Sequence, residues 1–128
     1  MALSEQLRKP LKACSVSELE ALAAEIRETV IQTVETNGGH LSPNLGMGEL
    51  TRALYFAFDF PADKLLFDVG HQSYVHKIIS DRAERFSTLR KKGGISGFPS
   101  PEESAYDAFV AGHAGNSLAA GLGFAKAR

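Results

Sequence analysis

Between Ser15 and Gly39 apolar positions recur with the period of a helix: Leu19, Leu22, Ile26, Val30 and Val34 fall on one stripe, with polar residues between them. Ser15 and Glu18 have the spacing at which a serine and a glutamate cap each other's backbone N–H groups, so this helix has a predicted start. Asn37, Gly38 and Gly39 tolerate positive φ and predict its end, opening a loop that reads GGHLSPNLGMG and carries His40. A second helix is predicted over 49–58, burying Leu50, Leu54, Ala57 and Phe58 and stopped by DFPAD with Pro61. Leu65, Leu66, Phe67 and Val69 then form a nearly continuous apolar run bounded by Asp63 and Gly70. Continuous rather than alternating burial predicts a central strand covered on both faces, with Asp68 inside it as a buried carboxylate hydrogen-bonded to backbone. HQSYVHKIISDRAERFSTLR reads as helical and KKGGISGFPSPEES as a mobile loop. YDAFVAGHAGNSLAAGLGFAKAR gives a second apolar stretch, a glycine turn at 112–115, and a helix from about Asn116. Ala119, Ala120, Gly121 and Gly123 would let that helix press its backbone against a neighbour.

Helices alternating with two candidate buried strands predict an α/β layered fold with a mostly parallel sheet, in which ligands collect beyond the carboxyl ends of the strands. Gly70-His71 and Gly112-His113 would both lie at such ends. Two strands make an incomplete sheet, so the expectation is a domain cut short. The length of 128 residues allows one domain with a real core but is short for a multi-substrate enzyme. Lys and Arg number 14 against 15 Asp and Glu, a net charge of -1, which lacks the basic footprint of a nucleic-acid binder. Cys14 stands alone, so no internal disulfide or paired-cysteine zinc site is expected, and a reducing, cytoplasmic setting follows. MALSEQLRKPLKACS lacks the apolar core of a signal peptide, and no stretch approaches the roughly 20 apolar residues of a membrane span. A soluble protein that is not exported is the expectation.

Candidate chemistry gathers at the glycine turns. GHAGNS combines glycines that let backbone N–H groups approach an anion with a helix N-terminus that favours one. An ordinary turn capped by Asn116 or Ser117 is the commoner meaning of such a string, and neither the P-loop nor the dinucleotide pattern is present. His40, His71, His76 and His113 each lie near a glycine turn, without the spacing of a zinc site. One loop histidine is usually surface or packing; several at the ends of one sheet point to a polar pocket. Nucleophilic catalysis finds little support, since Cys14 is N-terminal and no G-x-S-x-G elbow occurs. Lys77 and the pair Lys91-Lys92 could attract a phosphorylated substrate, although solvated charge is the commoner role. These residues do not by themselves name a reaction.

GGHL, DVGHQSYVHK, KKGGISGFP and GHAGNS, in this order, resemble the N-terminal part of the 1-deoxy-D-xylulose-5-phosphate synthase family, within the transketolase-like enzymes that use thiamin diphosphate. The resemblance runs from Gly38 to the end of the chain, and DVGHQ-x-Y-x-HK is its most specific part. It implies a transferase that condenses pyruvate with glyceraldehyde 3-phosphate, losing carbon dioxide, to feed isoprenoid, thiamin and pyridoxal synthesis. The implied fold is an incomplete three-layer αβα thiamin-diphosphate-binding fold, with residues 1–128 forming the N-terminal part of its first domain. His71 matches the family's cofactor-contacting histidine; His40 matches the histidine of the GGHL loop, associated with proton handling or substrate binding; Gly112, His113 and Ala114 match a segment that touches the cofactor. Imidazoles suit that task because they are poised near neutral pH. Ala114 stands where the family often has serine. Magnesium is implied as well, yet the GDG motif that helps to hold it is absent from these residues, so no metal ligand is assigned. A homodimer is implied for the complete enzyme, and a segment of this kind is expected to be inactive alone. His76 and Lys77 share the motif without an implied role. Two other readings stay open: part of a transketolase or split-subunit relative, and a non-catalytic module that associates with a full-length partner.

Overall fold

The computed structural model describes residues 2–128. A short helix α1 (Leu3–Gln6) and a single tight turn at Leu11–Ala13 lead into α2 (Val16–Asn37), the longest element. The Ser15 hydroxyl accepts the Glu18 N–H at 3.3 Å while the Glu18 carboxylate accepts the Ser15 N–H at 2.7 Å, the reciprocal cap that the spacing predicts. Lys9, then the Ser15 backbone, hold the Glu18 carboxyl down at about 2. Gly38, at φ 77, donates to the Val34 carbonyl and ends the helix. Leu22, Ile26 and Val30 face inward from α2 and meet Tyr74, Val75, Ile78, Phe86, Leu89 and Ile95, which form the core with them.

α3 (Leu41–Ala57) begins at His40 and takes in most of the segment expected to be a loop. Pro43 is tolerated because it lies in the first turn, where a backbone N–H has no partner within the helix. The orientation of α3 also differs from expectation: Leu50 and Phe58 are exposed, and the fully buried positions are Asn44 and Thr51. The inward face therefore combines Leu41, Leu45 and Tyr55, packed against the core, with the fully buried Asn44 and Thr51, and Asn44 hydrogen-bonds α4 (Tyr74–Lys77).

Among the described residues no strand forms, and the expected parallel sheet is corrected to an all-helical arrangement with long irregular connections. A strand satisfies its N–H and C=O groups only through a partner strand. Leu65–Val69 and the apolar stretch around 106–112 do not pair with one another, so neither becomes one. Phe67 is buried against the His76 ring, with centroids 5.1 Å apart, whereas Asp68, expected inside a strand, is exposed. Beyond α4 the chain widens into one π turn at Ile78–Arg82 and tightens into a 3-10 run at Ala83–Thr88. The π turn closes over five residues, so Lys77 and Arg82 project to the same side.

The segment expected to be mobile is pinned. Ile95, Pro99 and Ser104 are buried, and Gly94 lies so close to Thr88 that an added Cβ would sit 2.1 Å from its carbonyl oxygen. α5 (Ser117–Lys126) closes the chain, and none of its residues is buried. Gly121 and Gly123 have nothing within 4 Å of where a Cβ would stand, so the expected close backbone contact is not made among the described residues. No helix among them is long and apolar enough to cross a membrane.

Candidate functional site

The start of α3, the turn before α4 and the segment around Phe98 bring three of the sequence-predicted histidines together. The rings of His40 and His71 meet edge-on, with centroids 5.1 Å apart. Phe98 stands between His40, at 6.4 Å, and His113, at 5.6 Å, again edge-on in both cases. These separations lie within the range at which a ring edge is attracted to a neighbouring face.

His40 is held through its backbone. Its N–H donates to the Tyr74 hydroxyl at 3.3 Å, and its carbonyl accepts from Asn44 Nδ2 at 2.6 Å. The same amide nitrogen donates to the His71 carbonyl at 2.8 Å, while Asn44 Oδ1 accepts the Tyr74 N–H at 2.8 Å. One fully buried asparagine thus fixes both histidine backbones and the start of α4. Gly39 is required beside it: at φ 138, an added Cβ would come within 2.7 Å of the Tyr74 hydroxyl.

His71 follows a tight reversal. Gly70 donates to the Asp68 carbonyl at 2.7 Å across Val69, whose φ of 61 is uncommon for a β-branched residue. Gly70, at φ 97, fits against Pro99, where a Cβ would lie 2.4 Å from the proline ring. Ser73 Oγ closes the reversal by donating to the Gly70 carbonyl at 2.7 Å. The Nδ1 atom of His71 is buried and has no hydrogen-bond partner. The His40 side chain is exposed; slight desolvation, then the neighbouring His71, Arg90 and His113, hold it below the ordinary imidazole range, which favours the neutral form at pH 7.

Gly112, His113 and Ala114 form one exposed tight turn that ends at Gly115, with φ 65. The α5 N-terminus that follows is held by neither the Asn116 nor the Ser117 side chain in the expected capping role. Instead the Asp68 carboxylate accepts from Ser117 Oγ at 2.7 Å and from the Ser117 N–H at 3.4 Å. A carboxylate at a helix N-terminus is the favourable charge arrangement, and here the chain itself provides it.

His76 and Lys77 belong elsewhere. Both are buried, and their partners are the carboxylates of Asp107 and Glu103. His76 Nε2 lies 2.7 Å from Asp107 Oδ1, and His76 Nδ1 lies 2.8 Å from the Tyr55 hydroxyl. An ionised carboxylate only accepts, so Nε2 carries the proton and Tyr55 donates to Nδ1. Burial first, partly offset by Asp107, pushes His76 below the ordinary imidazole range, and burial pushes the Tyr55 phenol up, in keeping with that tautomer. The imidazoles at positions 71 and 76 of one motif therefore do different work. Two residues that sequence reasoning missed, Asn44 and Phe98, complete the picture. Asn44 could have been found as a side chain one turn after His40, and Phe98 as the single large apolar residue in a stretch of Gly, Pro and Ser. Among the described residues no three His, Cys, Asp or Glu side chains converge to hold a metal ion.

Comparison with known proteins places this geometry in context. A family model described as 1-deoxy-D-xylulose-5-phosphate synthase matches residues 4–128. The chain is 61% identical over 120 residues to the 1-deoxy-D-xylulose-5-phosphate synthase of Dictyoglomus thermophilum, covering 94% of this chain and 19% of that protein. It is 57% identical to that of Symbiobacterium thermophilum, covering 92% of this chain and 18% of that protein. With that of Syntrophotalea carbinolica it shares 53% identity, covering 100% of this chain and 20% of that protein. The chain thus spans about a fifth of the length of the curated relatives it matches.

Proposed function

Because the chain belongs to the 1-deoxy-D-xylulose-5-phosphate synthase family, we propose that it supplies the N-terminal part of the cofactor site of such a synthase. The reaction is the condensation of pyruvate with glyceraldehyde 3-phosphate, with loss of carbon dioxide, to 1-deoxy-D-xylulose 5-phosphate. The observation that carries the reading is the chain of ring contacts from His71 to His40, and from His40 through Phe98 to His113. Thiamin diphosphate, when bound, supplies a nucleophilic thiazolium carbon able to stabilise a carbanion.

The residues fit such a group. His71 presents a buried ring nitrogen that no protein atom satisfies, and a buried polar atom of this kind calls for a partner. Gly112, His113 and Ala114 form an exposed turn within reach of the same aromatic ring and would line the cofactor. Ala114 offers no hydroxyl, so that turn would act through its backbone and through His113. His40, its neutral form favoured at pH 7 and its ring next to His71, is suited to accept a proton near the reacting centre. Asn44 would orient both histidines through their backbones. No residue of this chain is assigned to magnesium.

In a synthase carrying this segment, His71→Ala is expected to lower pyruvate decarboxylation by about 100-fold or more, the range associated with losing a positioned acid or base. Steady-state turnover close to that of the unmodified enzyme would overturn the role given to His71.

A further inference from the structure

The buried ion pairs lie away from the histidine rings, yet they are tied to the one aromatic residue that the rings share. Asp107 accepts four hydrogen bonds. Its Oδ1 takes His76 Nε2 at 2.7 Å and one Arg82 nitrogen at 2.8 Å, and its Oδ2 takes the other terminal Arg82 nitrogen at 2.6 Å and the Ser100 N–H at 2.8 Å. Glu103 follows the same plan: Oε1 accepts from Lys77 at 2.6 Å and Arg82 at 2.9 Å, and Oε2 accepts the Ser96 N–H at 2.8 Å. Each carboxylate thus grips one backbone N–H, and the two N–H groups belong to Ser96 and Ser100, on either side of Phe98 and Pro99. Two cations, Lys77 and Arg82, face the carboxylates of the partly buried Glu103 and the buried Asp107 around a neutral imidazole, and the half-exposed Asp81 carboxylate lies 3.2 Å from Arg82 Nε at the edge of the set.

We infer that Glu103 and Asp107 are positioning residues for the candidate site: held by Lys77, Arg82 and His76, they fix the backbone at Ser96 and Ser100 and thereby set Phe98 between His40 and His113. The helical segment that supplies the cations begins three residues after His71, so the turn that holds a site histidine leads directly into the anchor for Phe98. Tyr55 extends the connection to α3, which starts at His40. Pro99, seated against Gly70, gives the loop a second footing beside His71. Burial opposes ionisation of Asp107, but the hydrogen bonds from His76, Arg82 and Ser100 overcome it and hold the carboxyl well below the usual carboxylate range, which keeps the anchor charged. This inference rests on reading His40 and His113 as site residues.

The test is the NMR signals of the histidine rings in the 128-residue chain, compared among Asp107→Asn, Glu103→Gln, Phe98→Leu and the Phe98→Leu/Asp107→Asn pair. Asp107→Asn is expected to shift the ring signals of His40 and His113 in the direction produced by Phe98→Leu, and to shift His76 as well. In the double variant His40 and His113 should move no further than with Phe98→Leu alone, because the anchor acts through that ring. If Asp107→Asn alters only the His76 signals, or if its effects on His40 and His113 add to those of Phe98→Leu, the inference is overturned. Should Asp107→Asn fail to fold by circular dichroism, Glu103→Gln, which removes the charge and one of the two acceptor oxygens that hold Ser96, Lys77 and Arg82, carries the same comparison. No cofactor or substrate enters this measurement, so its failure is distinct from failure of the synthase reading, which the turnover of the His71 variant decides.

Discussion

Arg82 keeps 2% of its surface exposed and Leu118 keeps 88%, an inversion of what their chemistry would lead one to expect. Around Arg82 the chain supplies a partner for nearly every charge it buries: Asp107 bidentately, Glu103 beside it, and Lys77 and His76 to complete the set. In α5 the chain leaves Leu118 and Leu122 exposed, and no residue of the helix is fully buried, although Phe124 is half-buried. Polar ties hold the segment at both ends: the Ser117 N–H and hydroxyl donate to Asp68, and Arg128, just beyond α5, pairs with Asp63. Burial follows partnership more closely than residue type: a guanidinium with fixed carboxylates goes inside, and a leucine with nothing facing it stays out.

That contrast is broken most forcefully at Arg82. Arg82→Ala would leave Asp107 and Glu103 buried with part of their hydrogen bonding gone, and removing one partner of a buried pair costs about 3–5 kcal/mol. The denaturant midpoint in urea is the measurement. A loss below about 1 kcal/mol, the range of exposed ion pairs, would mean that water reaches the cluster and that the contrast with α5 is smaller than it looks.

Acid should act on the same region in two stages. Burial first, despite Asp107, holds His76 below its ordinary value of 6.5; the unfolded chain therefore takes up that proton first, and stability in place above pH 6.5 declines as pH falls below it. Glu103 and Asp107 are also held below their ordinary values of 4.5 and 3.8 by their partners, against the effect of burial. Their contribution is in place above those values and is lost at lower pH, which gives the second decline. Urea midpoints measured at pH 8, 5.5 and 3.5 would resolve both stages, and His76→Gln should shrink the first to the share of His40, whose imidazole is also held low, while leaving the second. A midpoint that stays flat down to pH 4.5 would contradict the neutral, buried state of His76.

The same rule explains what could be read from the residue order. α2 was fully legible, because its stripe, its Ser15–Glu18 cap and its Gly38 end are local features, each satisfied within a few residues. The histidine cluster was legible in its members, His40, His71 and His113, because glycine turns flagged them one by one; that His71 meets His40, and that Phe98 links His40 to His113, depends on contacts between distant segments. Leu65–Val69 misled for the opposite reason: its apolar run suits a strand, but a strand is a property of a pair, and the second member is not among the described residues. Asp68 then turned outward to Ser117, and the segment from Lys91, read as mobile from its glycines and prolines, was fixed by a carboxylate, Glu103, whose cations lie 21 and 26 residues earlier.

The smallest effect is expected at α5. Leu122→Ser and Leu118→Ser replace exposed apolar side chains that touch no core, so each should change the unfolding free energy of the 128-residue chain by no more than about 0.5 kcal/mol. Self-association at high protein concentration should fall in the same variants, since exposed leucines on one helix favour contact between copies. Urea unfolding and sedimentation velocity measure the two quantities separately. A loss of about 2 kcal/mol or more, the range for removing a buried leucine, would mean that α5 packs against the body of the chain in solution. The helix would then join the partnered interior around Arg82 and stand no longer as its opposite.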